Sequence, residues 1–173
     1  MVTLRRALAS DAPILSEFGW RTFRETFLED LGCTYPPEDL QAFFDDAYRP
    51  EVFAGWIGSN AHGVWLAEQD GAVVAYAVTG PCSFEHEAVT PGAAELKRLY
   101  VSREGQGKGV APRLMDEVLA WMAERGHAPV WLSVWSGNHR AQAFYRKWGF
   151  EKAGEYEFPV GKSRDHEFLF RRD

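Results

Sequence analysis

ELKRLYVSREGQGKGVAPRLMDEVLAWM, from Glu95 to Met122, decides the fold. Its first seven residues alternate and are rich in apolar side chains, which predicts a half-buried strand. The following SREGQGKG carries three glycines and predicts a tight loop. Beyond it Val110, Leu114, Val118 and Met122 recur every fourth residue, with Ala111, Met115 and Leu119 beside them. That spacing is one apolar face of a helix. Gly126 stands where a left-handed residue closes such a helix. The order is strand, glycine loop, helix. A helix start leaves its first N–H groups without intrahelical partners, and the aligned peptide dipoles add roughly half a positive charge there. Glycines clear the approach, so the loop suits a phosphate or pyrophosphate. The competing reading is a plain tight turn. No Gly-Lys-Ser/Thr follows as in a P-loop, and Gly105-Gln-Gly-Lys-Gly109 lacks the dinucleotide spacing.

A second segment sharpens the reading. VWLSVWSGNHRAQAFYRKWGF, Val130 to Phe150, predicts a strand, a short turn and a helix opening at Asn138. Ala141, Phe144, Tyr145 and Trp148 share a face, and Gly149 ends the helix. Gln106, Gly109 and Ala111, followed by Asn138-x-x-Ala141-x-x-x-Tyr145 and Gly149-Phe150, resemble the GCN5-related N-acetyltransferase (GNAT) superfamily, whose loop has the form Gln/Arg-x-x-Gly-x-Gly/Ala. The resemblance runs from about Gly63 to Arg171 and extends loosely to the N-terminal helices. WLSVWSGNHRAQAFYRKWGF also resembles, more faintly, the bacterial spermidine/spermine-type enzymes.

Composition fits one soluble globular domain over residues 1–173, with 46% hydrophobic and 25% charged residues. The net charge of −6 argues against a nucleic-acid partner, which needs a basic face. No run is long enough to span a bilayer, so no membrane partner is expected, and Met1 to Pro13 has no signal-peptide core. A cytoplasmic location is therefore expected. Cys33 and Cys82 form no metal or redox motif and read as unpaired thiols. The five histidines lack metal spacing, so no metal is expected.

In chain order, TLRRA predicts a first strand. A helix capped by Ser10 or Asp11 follows, with Ile14, Phe18, Thr22 or Phe23, and Phe27 on its apolar stripe. Gly19 is a weak point in it, costing about 1 kcal/mol against Ala. LQAFFDDAY predicts a second helix ended by Pro50, and EVFAGWIG another short turn of helix. Val64 to Gln69 and Ala72 to Thr79 predict a hairpin turning at Asp70-Gly71. Gly80 to Pro91 reads as a loop, and Phe150–Phe158 with His166–Arg171 as a closing antiparallel pair. Strands mixed with helices imply a three-layer α/β/α domain with a mixed sheet. The resemblance adds that this mostly antiparallel sheet splays between its fourth and fifth strands, near Leu99–Val101 and Leu132–Val134, and admits the acyl-CoA pantetheine there.

Acyl transfer to an amine must anchor the cofactor, polarise the thioester, deprotonate the amine and stabilise the thiolate. Amides across Gln106, Gly107, Lys108, Gly109, Val110 and Ala111 would meet the pyrophosphate of acetyl-CoA, and the Lys108 side chain would add charge or lie solvated. The resemblance implies an oxyanion donor from the strand Leu99, Tyr100, Val101. An alkylammonium of pKa about 10.4 is roughly one-thousandth deprotonated at pH 7, a deficit of about 4–5 kcal/mol, so a base is useful. Glu95, at the start of the central strand, is the leading candidate, against a plain salt-bridge role with Lys97 or Arg98; Glu85 and Glu87 come next. Tyr145 matches the family's general acid toward the sulfur, against a core-packing role. Asn138 reads as a helix cap and, by resemblance, as a partner of the cofactor's amide arm. Trp131 and Trp135 share a strand face and line either the core or an acceptor wall.

The N-terminal helices commonly form part of the acceptor cleft in this superfamily. Glu25, Glu29, Asp30, Glu38, Asp39, Asp45, Asp46 and Glu51 make this stretch acidic, either to attract a cationic amine or merely as a solvated face. The expected partners are acetyl-CoA and an amine acceptor, and the resemblance allows a homodimer. Two further activities compete with a small-amine enzyme: acetylation of protein N-termini or lysines, and non-catalytic acyl-CoA sensing.

Overall fold

A computed structural model describes all of Met1–Asp173. Seven strands and five α-helices follow in order: β1 (Val2–Arg6), α1 (Ala12–Phe23), α2 (Pro37–Ala47), α3 (Pro50–Ile57), β2 (Gly63–Gln69), β3 (Ala72–Pro81), β4 (Ala94–Val101), α4 (Val110–Glu124), β5 (Val130–Trp135), α5 (His139–Lys147), β6 (Glu151–Val160) and β7 (Ser163–Arg172). The strands form one sheet in the order β1-β2-β3-β4-β5-β7-β6. Every neighbouring pair is antiparallel except β4 and β5. Those two strands pair only through Ala94 with Val130 and Glu95 with Trp131. Beyond these pairs the strands part, which is the expected splay. The β5-facing edge of β4 from Leu96 onward is left without a strand partner.

Each face of the sheet carries a different core. Val110, Leu114, Val118 and Met122 of α4 are fully buried, as their four-residue spacing predicts. They join Val130, Leu132, Val134 and Phe170, with Phe144 and Tyr145 of α5 and Trp148 just beyond it packed alongside. Each such side chain contributes about 1.5–3 kcal/mol by leaving water. The opposite face is aromatic: Phe18, Phe23, Phe43, Tyr48, Phe53 and Tyr76 form its centre. Helices on both faces of a mixed sheet make the three layers expected.

Gly19 has a purpose that helix propensity hides. A Cβ there would lie 3.0 Å from Tyr76 Oη and 3.1 Å from the Phe53 ring. The absent side chain lets α1 press against β3 and α3, so its propensity cost is offset by packing. Ile14, expected on the apolar stripe, is 46% exposed; Leu15 takes its place beside Phe18 and Phe23. Phe27 falls in a π-helical extension of α1, Arg24–Asp30, its ring 5.0 Å from that of Phe23. Pro50 does not merely end the second helix: it opens α3, where its fixed φ fits the first turn. β3 runs on to Pro81, past the expected end at Thr79. Asp70 and Gly71 both have positive φ, 52° and 81°, as the hairpin requires.

Asp39 was one member of an acidic run in the sequence; in the fold it is a pin. Its carboxylate accepts from Lys162 N at 2.9 Å, Ser163 N at 3.1 Å and Ser163 Oγ at 2.6 Å. These bonds fasten the β6–β7 turn onto α2 and lower the Asp39 pKa, with Ser163 the largest influence.

Candidate active site

The splay opens a cleft of about 470 Å³ that crosses the sheet between β4 and β5. One end lies at the glycine loop. The other lies among α2, β4, β5, β7 and the π-helical turn.

The loop end is built from main chain. Gly107 and Gly109 have φ of 74° and 69°, a left-handed geometry that favours glycine. A Cβ at either would meet nothing within 4 Å, so both face open space. Gly109 is the N-cap of α4. The N–H groups of Gly107, Lys108, Gly109, Val110 and Ala111 donate to no backbone carbonyl. That leaves five consecutive donors at the positive end of a 15-residue helix, a fit for a pyrophosphate. The Gln106 N–H is not among them, because it donates to Ser102 O and Arg103 O. The Gln106 side chain accepts from Arg140 Nη1 at 3.0 Å. Lys108 does not reach across the loop mouth; its Nζ donates to Gln69 Oε1 at 2.7 Å. Pro112 follows within the first turn of α4, where it has no N–H to offer.

Leu99, Tyr100 and Val101 line the middle of the cleft, as do Asn138, Ala141 and Tyr145. Asn138 Oδ1 accepts from Ala141 N at 3.1 Å, so the predicted helix cap is present. Tyr145 is half-buried, and its hydroxyl makes no hydrogen bond within the protein. Burial, and secondarily the Glu167 carboxylate, push its phenol upward, so it stays protonated at neutral pH. The structure thus brings Tyr145 and the loop to one cleft from segments some forty residues apart in sequence (roughly, from the loop–helix spacing).

The other end is built from side chains. Glu95 is buried, 6% exposed. Its Oε2 accepts from Ser83 N at 2.9 Å, Ser83 Oγ at 2.8 Å and Lys97 Nζ at 2.9 Å. Both readings of Glu95 thus have support: it faces the cleft, and it is ion-paired with Lys97. Glu85 and Glu87 are exposed and do not line the cleft. Of the N-terminal acidic run only Asp30 reaches it, and Asp30 is paired with Arg103 at 2.7 Å. Glu29 also pairs with Arg103, Glu25 approaches Arg21 and Asp45 pairs with Arg49.

Two carboxylates that the sequence reading missed complete this end. Asp165 accepts from Tyr35 Oη at 2.5 Å, and burial raises its pKa. Glu167, 7% exposed, is pushed up to about 7, chiefly by burial, with Asp165 and Glu95 adding repulsion and Ser133 opposing. Their only sequence signal was alternation in SRDHEFLFRR, which reads equally well as an outward polar face. Arg98 also borders the cleft; its Nη1 is buried without a hydrogen-bond partner, while the rest of the guanidinium is held by α2 and Tyr48. It donates to Ala47 O at 2.5 Å and lies 3.8 Å over the Tyr48 ring. Trp131 is core, fully buried beside Leu169, whereas Trp135 lines the cleft. Cys33 and Cys82 are free, and no cluster of His, Cys, Asp or Glu could hold a metal ion. No helix is long and apolar enough to cross a membrane.

Known proteins share this sequence and this fold. The chain is 31% identical over 166 residues to an uncharacterized N-acetyltransferase of Mycobacterium tuberculosis, covering 95% of this chain and 98% of the relative. It is 27% identical over 149 residues to an uncharacterized N-acetyltransferase of Lactobacillus delbrueckii subsp. lactis, covering 86% of each. In fold it is similar to a PaiA N-acetyltransferase from Thermoplasma acidophilum in complex with coenzyme A, with a TM-score of 0.77 at 19% identity, covering 100% and 99% of the two chains. It is also similar to the ribosomal-protein-S18-alanine N-acetyltransferase of Escherichia coli, with a TM-score of 0.66 at 20% identity over 99% and 93%. The sequence profile of the acetyltransferase (GNAT) family matches residues 20–150. The chain belongs to the GNAT family and is an acyl-CoA-dependent N-acetyltransferase.

Proposed function

We propose that the protein, as a single domain, transfers the acetyl group of acetyl-CoA directly to the primary amine of a small cationic acceptor such as a polyamine, both being bound at once. The observation that carries this reading is the contrast between the cleft's ends. Five unpaired amides border one, where Gln106 and Ala111 line the cleft, and at the other Asp165 and Glu167 have no lysine or arginine within ion-pairing distance. A cationic amine would be drawn to the second end by charge.

When bound, acetyl-CoA supplies an activated thioester. Gly107, Lys108, Gly109, Val110 and Ala111 would hold its pyrophosphate through their amides, with Gln106 shaping the loop from its side chain. Asn138 would meet the amide arm with its free Nδ2. A main-chain N–H from Leu99, Tyr100 or Val101 would polarise the carbonyl, since that strand edge lacks a partner. Tyr145 would donate a hydrogen bond or proton to the departing sulfur. Glu95, buried beside the incoming amine, would hold and orient it through its uncommitted Oε1.

Thiol release from acetyl-CoA against spermidine, spermine, simple diamines, aminoglycosides, amino acids and short peptides tests this. Saturable turnover of polyamines or diamines is expected. Turnover confined to peptides would instead assign a protein acetyltransferase. Tight acetyl-CoA binding with no turnover of any amine would assign a sensor.

A further inference from the structure

We propose that Glu167, on the last strand, is the group that takes the proton from the acceptor ammonium, in place of the role expected of Glu95. The inference rests on the transferase reading above. It begins from how differently the two carboxylates are held. Glu95 receives three donors on one oxygen, including the ammonium of Lys97, and is fixed as an ion pair. Its Oε2 is fully engaged and its charge already balanced by Lys97, so it has less to offer an arriving ammonium than an unpaired carboxylate has. Glu167 faces the same cleft, equally buried, with no ion-pair partner.

The surroundings of Glu167 come from four strands and one helix. Trp135 of β5 and Tyr156 of β6 are its cross-strand neighbours. Ser133 of β5 favours its ionised form, whereas Asp165 of β7 and Glu95 of β4 oppose it. Tyr145 of α5 and Tyr156 both feel its charge, as does Tyr48 beyond α2. Lys97, the one ammonium lining this end, is spent on Glu95. Arg98 of β4 also lines the cleft, but it lies over Tyr48, donates to Ala47 O and ion-pairs with neither Asp165 nor Glu167, so these two carboxylates are left for an ammonium to pair with. The pocket also places Glu167 near the midpoint of its titration at neutral pH, where a base is most effective.

The protons balance. The ammonium gives one proton to Glu167, freeing the nitrogen lone pair. The C–N bond forms at the thioester carbonyl as the C–S bond breaks. The nitrogen's second proton accounts for the one gained by the sulfur, which Tyr145 assists. Glu167 releases its proton to solvent, so each turnover yields amide, thiol and one proton.

The test is the pH profile of thiol release with the amine that the wild type turns over. Glu167→Gln keeps the shape and removes the base; kcat/KM at pH 7 is expected to fall roughly 100-fold, with acetyl-CoA affinity within about twofold by calorimetry. The acidic limb of the profile, centred near pH 7 in the wild type, should vanish in E167Q and persist in Glu95→Gln. Ser133→Ala leaves Glu167 in place and removes a neighbouring hydroxyl that favours its ionised form, so it should move that limb to higher pH. An E167Q variant that keeps both rate and limb overturns the proposal alone, as does a limb that S133A leaves unmoved. A wild type inert to every amine overturns the transferase reading and this proposal with it.

Discussion

The two ends of the cleft use different kinds of charge. At the loop end it comes from peptide dipoles, fixed by two left-handed glycines and the start of α4. At the acceptor end it comes from carboxyl groups on β4 and β7, and burial first, then neighbouring carboxylates, raise the pKa of Glu167 on β7. Dipoles do not titrate. The contrast implies that the loop end holds its ligand with an affinity nearly flat in pH, while the acceptor end changes character across neutrality. Binding strength and turnover should therefore separate experimentally.

The strongest way to break the contrast is to damage the dipole end. Gly109→Val forces a β-branched residue into a left-handed conformation and fills the open space before the amides. Strain of 1–3 kcal/mol plus lost amide contacts should weaken acetyl-CoA binding roughly 1000-fold by calorimetry. Unchanged affinity would remove the cradle.

The next test removes titration from the other end. The Glu167 carboxyl is pushed up to about 7 in the fold. The folded state therefore binds more protons than the unfolded chain between the ordinary carboxyl range and about pH 7, and stability falls as pH rises through that window. The loss amounts to about 3 kcal/mol, complete above pH 7. Urea titrations at pH 5 and pH 8 should show it in the wild type, whereas Glu167→Gln should flatten it. An equal slope in both proteins would mean that the charge cost lies elsewhere.

Between the ends stands Tyr145. Tyr145→Phe should lower kcat roughly 30-fold, the worth of one hydrogen bond to a developing charge at ~2 kcal/mol, with acetyl-CoA affinity hardly moved. Equal loss of both would make it a packing residue. The smallest effect should come from Arg103→Ala. Its guanidinium ties Glu29 and Asp30 of the π-helical turn to the loop, but the groups are about half exposed. Kd and kcat should each stay within roughly twofold, because exposed ion pairs contribute little; a larger change would couple the two ends.

The same contrast governs what could be read from the sequence. The loop end is contiguous, so Gln106 to Ala111 and the α4 face were legible as a pattern. Tyr145 and Asn138 were legible through the resemblance. The splay followed from the resemblance too, since no local pattern marks two strands that part. The acceptor end is discontinuous: Ser83, Glu95, Lys97, Ser133, Asp165 and Glu167 meet only through strand order. The acidic run before residue 52 drew attention by density, yet five of its eight members are held in pairs or, like Asp39, as pins, and only Asp30 reaches the cleft. Glu167 also lies outside residues 20–150, the part that carries the family pattern.

The β6–β7 hairpin follows the last helix, joins the sheet through one neighbour, β5, and is fastened at its turn by Asp39. It brings Asp165 and Glu167 to the cleft but none of the loop amides. Of the cleft's carboxylates, the hairpin thus contributes those drawn from the end of the chain, while the loop amides and Glu95 come from its middle, so substitutions in β6 and β7 can alter one end of the cleft without touching the residues that build the other.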